Sequence, residues 1–293
     1  MPNGTPDRAG KQGRFLDVAR PISRGVLTVI VIVAVLGAGI YAGIYYLIQR
    51  AKPFAQGEHC AISTPDGSRE LDIEQAQTAA TIAAVAARRR LSERAVQIAY
   101  VTAIQESKLL NLPYGDLDSV GVFQQRPSQG WGSRKQLLDP VYATKKFFST
   151  LEKVQGYRTL PLHVAAQEVQ RSADGSAYAM HEQDAKILAA AFTGRVPKGV
   201  HCWYPPTDKP VASRPDAARR QLVRALGSAP AIGNQISAPT TRRGWLIASW
   251  SVAHAQRYGL HEVRYAGVVW SADDGHDGWR SDTKALAGRV EVS

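Results

Sequence analysis

In the run Ser92–Leu110 (SERAVQIAYVTAIQESKLL), Ala95, Ile98, Ala99 and Thr102 recur at the spacing of one helical face, and the next position on that stripe is Glu106. A carboxylate that arrives on the inward face of a helix just before a Gly-rich turn is costly unless a cleft receives it. Desolvation there raises its pKa toward the value that a general acid needs at neutral pH. The plain alternative is a glutamate exposed at a helix end. Downstream lie Asp116-Leu117-Asp118-Ser119-Val120-Gly121-Val122-Phe123-Gln124-Gln125 and then Arg126-Pro127-Ser128-Gln129-Gly130-Trp131-Gly132. Nothing in the chain reads as a phosphate-binding G-x-x-x-x-G-K-[ST] loop, an H-E-x-x-H zinc helix or a Ser/His/Asp arrangement. No cofactor is expected.

Glu106-Ser107 followed by Ser119-Val120-Gly121-Val122-Phe123-Gln124 resembles the signature of lytic transglycosylases and goose-type lysozymes, in which a Glu-Ser ends a helix and a Ser-x-Gly-hydrophobic-hydrophobic-Gln segment follows. The resemblance covers about residues 75–195. As a whole this stretch is similar to a group of membrane-anchored bacterial proteins with lysozyme-like domains. It implies a lysozyme-like α domain that acts on the glycan of peptidoglycan, with Glu106 as catalytic acid/base. Ser107, Ser119 and Gln124 would shape the cleft, Gly121 would sit at its tight turn, and Gln125 joins them as a substrate-binding candidate. The Tyr-Asn-Ala-Gly motif common in these transglycosylases is echoed only by Ala191-Phe192-Thr193-Gly194.

Glycoside cleavage uses an acid plus a second carboxylate, or else a group of the substrate itself. Asp116 and Asp118 are the candidates for the second carboxylate, although Asp also favours turns for its backbone hydrogen bonding. With no second carboxylate, Glu106 alone can protonate the leaving oxygen and then take the proton of the C6 hydroxyl, closing a 1,6-anhydro ring. Trp131, Phe123 and Tyr114 are candidates to stack on sugar faces, each with core packing as its alternative. Arg126 is a candidate partner for a lactyl or peptide carboxylate, with an exposed, solvated arginine as its ordinary reading. The polar positions Gln167, Glu168, Gln170 and Ser172 lie on a helix that can wall the cleft, and solvated positions are their ordinary reading. His163, His181, His254, His261 and His276 show no ligand spacing and read as surface residues.

Around this centre the elements follow from pattern. An Ala-rich helix is expected over 72–87, and Ser92 caps a second helix reaching about Leu110. Six Gly and Pro residues make 111–133 a loop-rich insertion with one short strand at most. Helical patterning returns at 138–155, 161–172, 181–193 and 216–226, and strands are expected at 262–265 and 267–270. The expected organisation is a tail over 1–24, an anchor over 25–48, a stalk over 49–71, a lysozyme-like domain over 72–202, a linker with one helix over 203–243, and a small α+β module over 244–293. That module holds Trp245, Trp250, Trp270 and Trp279, which suits either a wall-binding unit or a small core. The fold class is mainly α with a small β part.

Cys60 and Cys202 are the chain's only cysteines and flank the helical domain. In an exported protein a disulfide clasp is the simplest reading. The adjacent His59 and His201 make a four-ligand zinc site the alternative, against which stands the wider ligand spacing of structural sites.

No charged residue occurs between Gly25 and Ile48, and 24 residues of helix reach about 36 Å, enough to cross a hydrocarbon core. The run is too long for the apolar region of a cleaved signal peptide. Arg8, Lys11, Arg14, Arg20 and Arg24 precede it while only Arg50 and Lys52 closely follow, so the positive-inside rule puts the N-terminus in the cytoplasm and the rest outside. Gly39 and Gly43 form a small-xxx-small pair through which a homodimer is conceivable, with ordinary Gly content of a membrane helix as the alternative. Of the net charge of +11 over 293 residues, +3 precedes the apolar run and +8 follows it, with no block of five like charges. That distribution is too thin for a nucleic-acid arm and favours an acidic wall polymer as counterion. A single span and no Cys/His array argue against a metal or solute transporter. The expected protein is a membrane-anchored, extracytoplasmic enzyme that cleaves peptidoglycan strands through Glu106. The alternative is a non-catalytic lysozyme-like module for wall binding or assembly.

Overall fold

The computed structural model describes residues 24–55, 57–171, 175–205 and 211–293. Residues 1–23 of the expected tail and Ser172 lie outside the described residues. Helix α1 (Arg24–Ala55) forms one unit. Its stretch Arg24–Leu47 has a mean hydropathy of 2.5 and is long and apolar enough to cross a membrane. The helix continues past the expected end of the anchor into residues assigned to the stalk.

Gln56–Ser293 form a second compact unit. It opens not as a stalk but as a hairpin of β1 (His59–Thr64) and β2 (Gly67–Leu71), with Pro65-Asp66 as its turn. In β1, Cys60 and Ile62 are fully buried while their neighbours face outward, the period of two of a half-buried strand. After the hairpin come α2 (Ile73–Arg88), α3 (Glu93–Ser107), α4 (Arg134–Leu137), α5 (Pro140–Leu151), α6 (Leu162–Gln170), α7 (Ser176–Ala179), α8 (Glu182–Phe192) and β3 (Val200–Trp203). β3 pairs antiparallel with β1, Cys60 stands opposite Cys202, and the two are disulfide-bonded. The thiolates that a zinc site would need are therefore consumed.

α2 is the central helix. Asp72 caps it with a capping box closed by Gln75, whose Oε1 accepts from Asp72 N at 2.8 Å. Its many alanines are buried, and their short side chains let α3, α5 and α8 pack around it.

The chain then forms α9 (Pro215–Leu226), β4 (Ala231–Ile232), β5 (Gln235–Ser237), α10 (Thr241–Ala253), α11 (Ala255–Tyr258), β6 (Glu262–Tyr265), β7 (Val268–Ser271), β8 (Arg280–Ser281) and β9 (Arg289–Val292). The sheet order is β4-β5-β9-β6-β7-β8, antiparallel throughout. α10 packs on α2, α8 and β3, so the expected C-terminal module lies within the same compact unit as the helices before it. Glu93 at the start of α3 accepts from both Arg195 and Arg242 at 2.9 Å. Trp270 and Trp279 donate from their indole nitrogens to the carbonyls of Cys202 and Val200 at 3.0 and 2.8 Å. Trp245, Trp250 and Trp270 are buried, and Trp279 packs edge-on against Trp245. Core packing, not an exposed aromatic surface, accounts for these four tryptophans.

Candidate functional site

Ala95, Ile98, Ala99 and Thr102 are fully buried, so the stripe that predicts Glu106 is the inward face of α3. Glu106 itself is half-buried, and Tyr178 from α7 donates its phenolic hydrogen to Oε1 at 2.6 Å. Oε2 takes no partner among the described residues. Next to it, the Ser107 hydroxyl reaches the carbonyl of Val122 at 2.7 Å and that of Ala103 at 3.1 Å, tying the helix end to the Gly-rich loop.

The helix stops in an unusual way. Lys108 (φ 54°) and Leu109 (φ 65°) are both left-handed, and their amides return to Ile104 and Ala103. Left-handed backbone costs a non-Gly residue roughly 1–2 kcal/mol. Burial of Leu109 and the cap bonds offset it, as does Gln75 Nε2 donating to the Lys108 carbonyl at 2.9 Å. α2 thus catches the chain as it leaves α3.

The loop is built from inside outward. Phe123 is buried and stacks on Phe147 at 4.5 Å between centroids, so of the three stacking candidates this one belongs to the core. Val120 and Gln125 bridge each other at 3.1 Å in both directions, and Gly121 donates to the Leu112 carbonyl at 2.7 Å. Gly121 has φ +79°, and a Cβ there would sit 2.4 Å from the Leu137 carbonyl oxygen, which explains the glycine at the tight turn. Gln124, with φ 45°, folds its amide back onto the carbonyls of Tyr114 and Gly121 at 3.2 and 3.1 Å. Gln170 on α6 donates to the Phe123 carbonyl at 2.8 Å and pins the loop from the other side.

The two aspartates part company. Asp118 accepts from Arg126 Nε at 2.7 Å and from the Ser128 amide and hydroxyl at 2.8 and 2.9 Å. Arg126 first, then the Ser128 amide, hold its carboxyl down at about 2. Asp118 is a clamp on the loop, and Arg126 spends its guanidinium there instead of waiting for a substrate carboxylate. The Asp116 side chain is exposed, and its carbonyl accepts from Ser119 N at 3.0 Å as a turn residue does. Ser119 is buried beneath the turn. Gln125 is turned inward: it is 2 % exposed, and its Nε2 donates to the Ala143 carbonyl at 3.4 Å. Trp131 is half-buried against the core, whereas Tyr114 and its neighbour Leu117 are 68 % and 74 % exposed and offer apolar surface.

A cavity of about 520 Å³ opens beside the end of α3, lined in part by Arg69, Gln105, Lys108, Met180 and His181. His181 Nε2 lies 2.9 Å from Gln105 Oε1, and burial lowers its pKa below the ordinary value. The structure thus brings together Glu106, Ser107 and residues 121–124, with Tyr178 and the Gln170 amide added. Tyr178 carries no local sequence signal, since it is separated from Glu106 by 72 positions and lies on a four-residue helix. The Tyr-Asn-Ala-Gly echo serves packing. Thr193 receives a hydrogen bond from Arg242 at 2.9 Å, and a Cβ on Gly194 would meet the Arg242 carbonyl oxygen at 2.0 Å. Of the histidines, His254 is buried, contrary to its surface reading, and His163 pairs with Glu182 at 2.9 Å. Compared with protein-family models and with curated proteins, the chain gives no significant match, so its function is read from this geometry and from the motifs that led to it.

Proposed function

We propose that this protein is anchored by α1 with its N-terminus in the cytoplasm, and that its body cleaves glycan strands of peptidoglycan outside the membrane. The observation that carries the reading is Glu106: an inward-face carboxylate at a helix end, oriented through one oxygen by Tyr178 and with the other unpartnered among the described residues. Asp118 is committed to Arg126 and Ser128, which favours chemistry with one carboxylate. Glu106 gives its proton to the glycosidic oxygen as the C1–O bond breaks. It then takes the proton of the C6 hydroxyl as that oxygen bonds to C1, leaving a 1,6-anhydro sugar and a regenerated acid. The net charge of +8 beyond the apolar run gives the body attraction for an acidic wall polymer.

Mass analysis of muropeptides released from purified sacculi by the detergent-solubilised chain tests this. Products with 1,6-anhydro ends are expected. Reducing ends would replace the ring-closing step with hydrolysis, and binding to sacculi without release would replace the enzyme with a wall-binding module.

A further inference from the structure

A second cavity, of about 590 Å³, is lined by none of Glu106, Tyr178 or residues 114–126. Its volume falls within the roughly 300–1,000 Å³ typical of small-molecule sites. Its walls carry five charged residues and one buried imidazole: Glu58, Glu74, Asp139, Arg224, Arg257 and His254.

The charges do not cancel in place. Arg224 and Asp139 pair with each other. Glu58 accepts from the Gln256 amide and Glu74 from the Asn111 backbone at 3.1 Å, and neither meets a cation among the described residues. Arg257 likewise forms no ion pair there; its guanidinium lies 5.9 Å from the centre of the Tyr258 ring. Two carboxylates and one guanidinium therefore line the cavity without an ion-pair partner among the described residues.

His254 adds a directional group. It is 3 % exposed, and its ring stacks on Trp250 at 3.9 Å. Its Nδ1 lies 2.9 Å from the Trp250 carbonyl oxygen, which only accepts, so Nδ1 carries the ring proton. Burial, outweighing that hydrogen bond, lowers its pKa to about 3, and the ring stays neutral at physiological pH. Nε2 is then an acceptor with no partner among the described residues, on a ring that lines the cavity. A neutral buried acceptor in the same cavity as two carboxylates that meet no cation among the described residues suits a donor-rich cation.

We propose that this cavity binds a short zwitterionic peptide, its ammonium group toward Glu58, Glu74 and His254 Nε2 and its carboxylate toward Arg257. The proposal does not depend on the Glu106 reading, because the two sets of residues do not overlap.

Calorimetric titration of the solubilised full chain with alanyl-alanine tests it, with N-acetyl-alanyl-alanine and alanyl-alaninamide as capped controls. Each charge-assisted contact is worth enough to change affinity by about tenfold. Saturable binding is expected, weakened by about that factor by either cap and by Glu58→Gln or Arg257→Gln. Both variants change exposed side chains, and unchanged melting curves confirm their folding. The His254 Cε1–H resonance shifts on binding. Absence of saturable binding at millimolar dipeptide, equal binding of the capped peptides, or affinities indifferent to both variants would overturn the proposal.

Discussion

Replacing Ser107 by alanine separates a positioning role from substrate contact. The hydroxyl has one hydrogen and two acceptors within reach, and the Ala103 carbonyl also accepts from Leu109 N at 3.0 Å. The bond that matters is the 2.7 Å contact to Val122, the tie between α3 and the loop. Ser107 is 4 % exposed, so Ser107→Ala leaves the Val122 carbonyl without its side-chain donor in a place that water reaches poorly. A buried acceptor stripped of its partner costs about 1–3 kcal/mol. For a unit of this size each kcal/mol lowers the melting temperature by about 2–4 °C, so a drop of about 2–12 °C is expected in a circular-dichroism melt of the solubilised chain. Glycan release at a temperature where both proteins are folded is expected to fall between that of wild type and that of Glu106→Gln, because the loop loosens while the carboxylate stays. An unchanged melting temperature refutes the hydrogen-bond argument. Complete loss of release with an unchanged melt means that Ser107 touches the substrate.

Three other perturbations probe the scaffold. Gly121→Ala places a side chain at φ +79° against the Leu137 carbonyl, and a loss of at least about 2 kcal/mol in denaturant unfolding is expected. Removing both Cys60 and Cys202 opens a loop of 142 positions, whose closure is worth at most about 5 kcal/mol. The double Ala variant and reductant-treated wild type are expected to melt together, well below the oxidised protein. Asp118, with its folded pKa of about 2 against an ordinary 3.8, contributes stability that is complete above about pH 4 and disappears as pH falls toward 2. The melting difference between wild type and Asp118→Asn is therefore expected to shrink across that window, and a constant difference contradicts the clamp.

The elements with strong local signals were legible. Ser92 is the N-cap of α3, the Ala-rich run 72–87 is α2, and the strand expected at 262–265 is β6. The hairpin β1–β2 was obscured because Pro65 and Gly67 read as stalk residues, although Cys60 and Ile62 already alternate with polar neighbours. That the stripe ending at Glu106 faces inward was legible from helical period. Tyr178 as the partner of Glu106 and Gln170 as a pin on the loop were not identified, because their roles come from α6 and α7 packing on α3, which local pattern does not encode. The partners of Gln125 and Arg126 were not legible for the same reason: side chains in an irregular loop take their direction from elsewhere, here α5 and Asp118. His254 looked like a surface residue because no ligand spacing surrounds it, yet it ends α10 inside the body.

The central claim is that Glu106 performs the chemistry, and comparing wild type with Glu106→Gln on purified sacculi tests it most directly. Glutamine keeps the shape and can still accept from Tyr178, but it cannot deliver or remove a proton. General acid/base catalysis contributes roughly 10²–10⁴-fold, so release of soluble muropeptides is predicted to fall by at least about 100-fold with the melting curve unchanged. Equal release by the two proteins would contradict the assignment of Glu106, and no release by either would contradict the assignment of an enzyme.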